Sequence, residues 1–372
     1  MAFVGEIRLG TAASQAAGAP AIQPGMPQTC AETLPAALYR HPSVYEQERR
    51  RIFAQTWQLA GHEAQLAEPG QLLAVTIAGY PVIAVRGEDK IRAFHNVCRH
   101  RAGPLAPEGE GRCERNLVCR YHGWRYALDG RLAGARDFGP ADGFDPREYG
   151  LFPLACEIWR GFVFVNMNPS APPLSSTVGP LAARTRHMPL ESFRPGRRVT
   201  HELRCNWKTY VENYLEGYHV PIVHPALNAA IDTSRYEIET DGEIVFHHAP
   251  ARSGTPVSGL WAWMWPSLGI NVYTNGVSVE RMWPLDGART RLDYLYFFPE
   301  DLSEADRDAA IGASEVTTAE DIAITQAVQR NLDAGIYDRG RLSPKHETAV
   351  ALFQNLVTRA TALPPEESQT AR

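Results

Sequence analysis

Residues 98–124 read CRHRAGPLAPEGEGRCERNLVCRYHGW, with a Cys-x-His pair at Cys98 and His100 and, after 18 intervening residues, a Cys-x-x-His pair at Cys119 and His122. Each loop offers one soft thiolate and one imidazole, a donor set that suits zinc or an iron–sulfur cluster. Any one of these side chains alone fits a buried, unliganded role; four in this arrangement do not. Structural zinc loops more often pair Cys with Cys and His with His. Alternating Cys and His instead fits a [2Fe–2S] cluster with two thiolates on one iron and two imidazoles on the other. Neutral histidine ligands raise the reduction potential above that of four-Cys clusters, which suits a one-electron relay. A relay needs an acceptor.

Short β-type runs flank these loops. QLLAVTIAGYPVIAVRGEDKIRAFHNV (71–97) holds three, divided by Gly-Tyr-Pro and Gly-Glu-Asp turn signals, and another follows in RGFVFVNMNP (160–169). Before them, HPSVYEQERRRIFAQTWQL (41–59) sets apolar residues along one side of a charged segment and predicts a helix. NPSAPPLSS (168–176) reads as a linker. Beyond it the pattern predicts a helix around 206–219, strands from about 235 to 299, and a long helix over 303–333 capped by Ser303 and ended by Gly335. The expected division is a mobile tail over residues 1–34, an N-terminal helix with an all-β module over 35–170, and an α+β module over 171–372.

The 372-residue chain is 44% hydrophobic and 21% charged, as an ordinary globular protein is, and its net charge of −5 offers nucleic acid no basic surface. No apolar run approaches membrane-spanning length. The first two dozen residues lack the charged start and apolar stretch of a secretory signal and the arginine enrichment of a transit peptide. Six cysteines in a chain this long (Cys30, Cys98, Cys113, Cys119, Cys156 and Cys205) do not make a disulfide scaffold, so a reducing cytoplasm is expected. No G-x-G-x-x-G fingerprint is present, which puts nicotinamide or flavin chemistry on another protein.

The expected acceptor lies in NWKTYVENYLEGYHVPIVHPAL (206–227). On an unbroken helix His219 and His224 would point roughly 140° apart and could not share a metal. Pro221 is expected to break the helix between them and turn His224 back, leaving Glu216 one turn before His219 on the same face. Two histidines need a third ligand, usually a carboxylate, to make the facial triad of non-heme iron(II) oxygenases. Asp321 in TTAEDIAITQAVQRNL (317–332) is the candidate and Glu320 the fallback; periodicity alone favours a solvated face for Asp321. Asn213 is close to the histidines by spacing and suits either tuning of the site or a surface hydrogen bond.

CRHRAGPL and CRYHGWRYALDGRL together resemble the Rieske domain of ring-hydroxylating-type oxygenases, and NWK…EN…E-x-x-H…HP with ED-x-x-I…VQ resembles the catalytic domain of their α-subunits, from about residue 35 to about 360. The resemblance implies an all-β [2Fe–2S] domain and a helix-grip catalytic domain, an antiparallel sheet around a long helix. It assigns Cys98 and Cys119 to the inner iron, His100 and His122 to the outer iron, and His219, His224 and Asp321 to a mononuclear Fe(II). Glu216 takes the place of the family's bridging carboxylate, commonly aspartate, between His219 and the cluster-bound His122 of a neighbouring subunit. That implies a head-to-tail homotrimer. Two departures are Arg120, where proline is frequent, and glutamate at 216, which occurs in relatives acting on quaternary ammonium compounds. Cys113 reads as a bystander.

GLWAWMWPSLGINVYTNG (259–276) sets Trp261, Trp263 and Trp265 at period two, on one side of a strand, with Tyr273 further along. This is either a packed core face or the aromatic wall of a substrate cavity, suited to a trimethylammonium group or an aromatic ring. The resemblance favours the choline, betaine and carnitine oxygenase branch. It implies a terminal oxygenase that uses O2 and NAD(P)H-derived electrons from a separate flavin/iron–sulfur reductase, and that N-demethylates or hydroxylates a small quaternary ammonium or methylamine compound. Hydroxylation or dihydroxylation of an aromatic acid is the alternative. A Rieske electron carrier would need only the first module, and a ligand-binding helix-grip protein would need no iron.

Overall fold

The computed structural model describes residues 32–252, 259–273 and 275–362; Cys30 and nearly all of the expected tail lie outside the described residues. Along the chain, α1 (Pro42–Glu48) continues as a π-helical turn to Phe53 and leads into β1 (Gln58–His62), β2 (Gln71–Ile77), β3 (Tyr80–Arg86), β4 (Ile91–His95) and β5 (Gly109–Arg112). A small hairpin sheet follows, β6 (Asn116–Val118), β7 (Arg125–Ala127) and β8 (Leu132–Gly134), then β9 (Pro153–Trp159) and β10 (Phe162–Asn166). The first large sheet is antiparallel, in the order β1-β10-β9-β4-β3-β2-β5. One candidate cluster loop, residues 98–105, connects β4 to β5 of this sheet, and the other, residues 119–124, joins β6 to β7 of the small sheet.

Helix α2 (Leu174–Thr185) starts inside the expected linker and carries the chain to β11 (Arg194–Leu203). Next come α3 (Trp207–Tyr214), α4 (Val220–Val223), α5 (Pro225–Ala230), and the strands β12 (Glu237–Asp241), β13 (Ile244–His248), β14 (Gly259–Met264), β15 (Leu268–Tyr273), β16 (Gly276–Pro284) and β17 (Thr290–Phe298). The long α6 (Glu304–Asp333) starts at the Ser303 cap, as its sequence predicts, and Gly335 follows it with φ +74°. A final helix, α7 (Thr348–Ala362), closes the core. The second sheet is also antiparallel, β11-β17-β16-β15-β14-β13-β12, and α3, α6 and α7 pack against it through Trp207, Val211, Ile311, Leu332 and Phe353. This is the expected α+β pairing of an all-β domain with a sheet around a long helix. No helix among the described residues is long and apolar enough to cross a membrane.

Segment 41–59 is helical only as far as Phe53. Trp57 and Leu59 pack against Phe164 in one cluster while Ala60 and Val163 pack in another, so both faces of β1 are buried and tertiary burial overrides the helical pattern. Strand β11 and helix α7 had no signal in the sequence reading. Most of β11 alternates charged and polar residues at a sheet edge, where apolar periodicity is weak.

Two buried ionic contacts lock the halves together. Arg281, from β16, is 2% exposed; it donates to the Ala60 carbonyl of β1 at 2.8 Å and to Asp293 of β17 at 2.9 Å. Burial alone would raise the Asp293 pKa, but the Arg281 and Arg198 guanidiniums outweigh it and hold it at about 2. On the opposite flank Glu48 of α1 accepts from Lys208 Nζ at 2.5 Å and from the Trp207 indole at 2.8 Å, all three buried. Breaking such a pair from one side leaves a charge buried without compensation. Asp293→Asn is therefore expected to cost about 3–5 kcal/mol, read as a lower denaturant midpoint with native far-UV circular dichroism at zero denaturant. A loss below about 1 kcal/mol, the range of exposed pairs, would contradict the clamp.

Candidate metal centres

The first constellation converges. Cys98 and Cys119 are both buried, and each anchors a hydrogen-bonded turn: the Ala102 N–H donates to the Cys98 carbonyl at 3.0 Å and the Gly123 N–H to the Cys119 carbonyl at 2.9 Å. The His100 and His122 rings lie 4.5 Å apart between centroids. Trp124, buried at the end of the second turn, stacks on His100 at 5.0 Å with planes 8° apart, so the tryptophan that follows the metal loop serves to orient an imidazole. The Tyr126 hydroxyl accepts from the Arg99 N–H at 2.9 Å and lies 3.1 Å from Cys98 Sγ; the sequence offered no hint of it. A Cβ on Gly103 would come within 2.9 Å of Cys119 Sγ, so the first loop needs glycine to close over the thiolate. Cys113 turns away and donates to the Gly70 carbonyl.

The second constellation is built from three elements. Helix α3 stops at Tyr214, earlier than the sequence suggests, for two reasons. The Glu216 carboxylate captures the backbone N–H groups of Tyr218 and His219, and Gly217 passes so close to Tyr236 that a Cβ would meet the ring at 2.5 Å. Glu216 thus sits in a loop rather than on a helix face. Pro221 starts the short α4 instead of breaking a longer helix, since the first turn needs no N–H from it. The turn that brings His224 back falls between α4 and α5, just before Pro225.

Asp321 arrives from α6, which runs antiparallel to α3 and is held in register by Gln329 on the Asn206 N–H (2.9 Å), Gln326 on the Arg204 N–H (2.9 Å), and Asn213 Nδ2 on Asp321 Oδ1 (2.6 Å). One ligand atom from each of His219, His224 and Asp321 lies within 4.8 Å of the others. The two Nε2 atoms are 3.1 Å apart, and Asp321 Oδ1 is 3.0 Å from that of His224 and 3.6 Å from that of His219. Behind them, His219 Nδ1 meets Glu216 at 2.5 Å and His224 Nδ1 meets Glu320 at 2.7 Å. A carboxylate only accepts, so each Nδ1 carries the proton and each Nε2 presents a bare lone pair to its neighbour. Burial would lower the His224 pKa, but Asp321 and Glu320 outweigh it and raise it. Three acceptor atoms so close together call for a cation.

A cavity of about 480 Å³ ends on this triad. Its aromatic wall differs from the expected one. Trp261 and Tyr273 line it, together with Tyr214, Tyr236, Tyr294 and Tyr296. Trp263 and Trp265 do not: they are buried against Phe353, at 5.7 and 5.9 Å between ring centroids. Trp261 and Trp263 share a strand face, but α7 covers the far half of that face, and the sequence reading contained no α7.

The profile of the Rieske [2Fe-2S] domain matches residues 56–145, and that of the ring hydroxylating alpha subunit catalytic domain matches 190–258 and 250–362. The carnitine monooxygenase oxygenase subunit of Escherichia coli K12 is 30% identical over 347 residues, 87% of this chain and 92% of that protein. The chain belongs to the Rieske-type ring-hydroxylating α-subunit family. Choline monooxygenase of Spinacia oleracea is likewise 30% identical, over 86% of this chain and 76% of its own. Among solved structures, the quaternary ammonium Rieske monooxygenase CntA in complex with L-carnitine superposes with a TM-score of 0.81 at 30% identity, covering 90% of this chain and 97% of that one. Naphthalene 1,2-dioxygenase with indole bound, 18% identical at a TM-score of 0.73 over 88% and 92% of the two chains, shares the fold.

Membership implies a [2Fe–2S] cluster and a mononuclear iron, and this Rieske-type chain has donors that fit both. His100 Nδ1 is buried with no hydrogen-bond partner, as befits a donor whose partner is a metal. At the triad, Asp321 is the carboxylate that faces the Nε2 pair, whereas Glu320 reaches the back of His224. Asp321→Ala is expected to remove about one of about three irons per chain while keeping the sulfide content and visible spectrum of the cluster. Glu320→Gln should keep a site and weaken its ferrous affinity about 10–100-fold in competition with a chelator. The reverse pattern would make Glu320 the ligand.

Proposed function

We propose that the chain is the terminal oxygenase of a system in which electrons from NAD(P)H arrive through a separate flavin/iron–sulfur reductase, and that it hydroxylates a quaternary ammonium or methylamine compound. One observation carries the reading: an aromatic-walled cavity ends on two histidines and an aspartate arranged as a facial triad, with a Rieske-type donor set elsewhere in the same chain. The similarity to carnitine and choline monooxygenases along nearly the whole chain supports the substrate class.

When bound, the cluster supplies single electrons and the iron activates O2. The side chains do the rest. Glu216 and Glu320 hold the Nδ1 protons and so keep both Nε2 atoms free to ligate. Asn213 holds the Asp321 carboxylate in place. The aromatic rings exclude water and present faces to an N-methyl cation. One oxygen atom enters a C–H bond, and electrons and protons delivered from the reductase carry the other to water. An N-hydroxymethyl product then loses a proton and breaks its C–N bond to give formaldehyde and the demethylated amine.

Glu216 has a second role in this reading, as the bridge to a neighbouring copy's His122 in a head-to-tail homotrimer. Both sides of the proposed contact carry apolar surface: Tyr121 beside His122 is 57% exposed, while Tyr218 and Ile222 beside His219 are 58% and 84% exposed. With ferrous ion in saturating excess, Glu216→Gln is expected to have both metals loaded and to slow reductase-coupled O2 uptake about 10–100-fold. Unchanged rates would remove the bridge. Screening methylated amines against aromatic acids for substrate-dependent O2 uptake tests the class; a response confined to aromatic acids would overturn it.

A further inference from the structure

Glu280 of β16 lines the cavity, is 5% exposed, and has no part in holding the triad. Its Oε1 accepts from Asn271 Nδ2 at 2.7 Å, and Asn271 Oδ1 in turn accepts from the Tyr214 hydroxyl at 2.7 Å. Tyr294 also hydrogen-bonds the carboxyl group. Burial raises the pKa of Tyr210, Tyr214, Tyr273, Tyr294 and Tyr296, and the charge of Glu280 adds to the rise in all five, which places five phenol rings within its field. All its hydrogen-bond donors are neutral.

No lysine or arginine lines the cavity among the described residues. The imidazole of His247, on the same wall, is held neutral: burial pushes its pKa down to about 3, and its Nδ1 meets the Tyr236 hydroxyl at 2.7 Å. The other charged side chains there are the carboxylates Glu216 and Asp321, whose two charges balance those of the ferrous ion the triad would hold, so Glu280 keeps no cation of its own. A buried carboxylate without a cation is costly, and burial accordingly pushes Glu280 up to about 7. A cationic ligand would relieve that cost. A ligand carrying its own carboxylate would add a second unpaired charge to the same enclosure.

We propose that Glu280 is the counter-ion of the substrate, and that the cavity takes an alkylammonium compound of net positive charge and disfavours zwitterions. The proposal rests on the quaternary ammonium reading above and narrows it. It separates this chain from a carnitine-type substrate while keeping a choline-type one.

The test uses the metal-loaded enzyme and three probes: choline, the zwitterion L-carnitine, and 3,3-dimethylbutan-1-ol, which has the shape of choline without its charge. Calorimetric titration is expected to give choline an affinity at least about tenfold above the other two, the equivalent of about 1.4 kcal/mol. Glu280→Gln should lower choline affinity about tenfold or more and change that of the neutral alcohol by less than about twofold. A merely structural role would weaken both probes alike and would overturn the proposal. Carnitine bound as tightly as choline by the wild-type enzyme would also overturn it, and that comparison needs no variant. If neither choline nor carnitine binds or drives O2 uptake while an aromatic acid does, the quaternary ammonium reading itself has failed and the proposal falls with it. The visible spectrum of the cluster verifies that the variant is folded.

Discussion

Two imidazole nitrogens 3.1 Å apart, each with its proton held on the far side by a carboxylate, need a cation or a shared proton between them. Much of the second domain serves to impose this arrangement. Glu216 must leave the helix to reach His219, His224 must sit in the break between α4 and α5, and α6 must deliver Asp321 and Glu320 to opposite sides of the same imidazole. Each requirement is met by a local device: Gly217 against Tyr236, Pro225 after His224, and the glutamine contacts between α6 and the start of α3. Each ligand side chain is thus oriented by a residue outside the triad, Glu216, Glu320 or Asn213.

The same economy of position governs the rest of the molecule. Lys208 and Trp207 begin α3, and both are tied to Glu48, so the N-terminal helix fixes the end of α3 opposite Glu216 and the histidines. Arg281 and Glu280 are neighbours on β16 and face opposite ways. Arg281 turns to β1 and Asp293 to bind the two domains, while Glu280 faces the cavity. One strand thus carries a buried charge paired with a carboxylate, which holds the structure, and a buried charge with neutral partners only. The contrast is what marks Glu280 as awaiting something positive.

The sequence was most legible where chemistry is crowded into short spacing. The two Cys/His loops and the pair His219 and His224 could be read directly, because few other roles place those residue types so close together. Choosing between Asp321 and Glu320 was harder. Adjacent helical positions differ by roughly 100°, yet both carboxylates meet His224, the longer one at its back and the shorter at its front. The expected aromatic wall holds at Trp261 and Tyr273 and departs at Trp263 and Trp265 for a non-local reason, since α7 returns from the end of the chain to cover those two. Glu280 leaves only a faint mark in the sequence, a charged Glu-Arg pair inside an otherwise mostly apolar strand, and the structure buries every residue of that strand. Neither periodicity nor composition says which of the two neighbours finds a partner.

The most direct measurement is anomalous diffraction at the iron edge from crystals grown anaerobically with ferrous ion. The account predicts one peak between His219 Nε2, His224 Nε2 and Asp321, with Glu216 and Glu320 still on the Nδ1 atoms, and separate density between the two Cys/His loops. Iron bound through Nδ1, iron carried by Glu320 in place of Asp321, or no peak at the triad would contradict it.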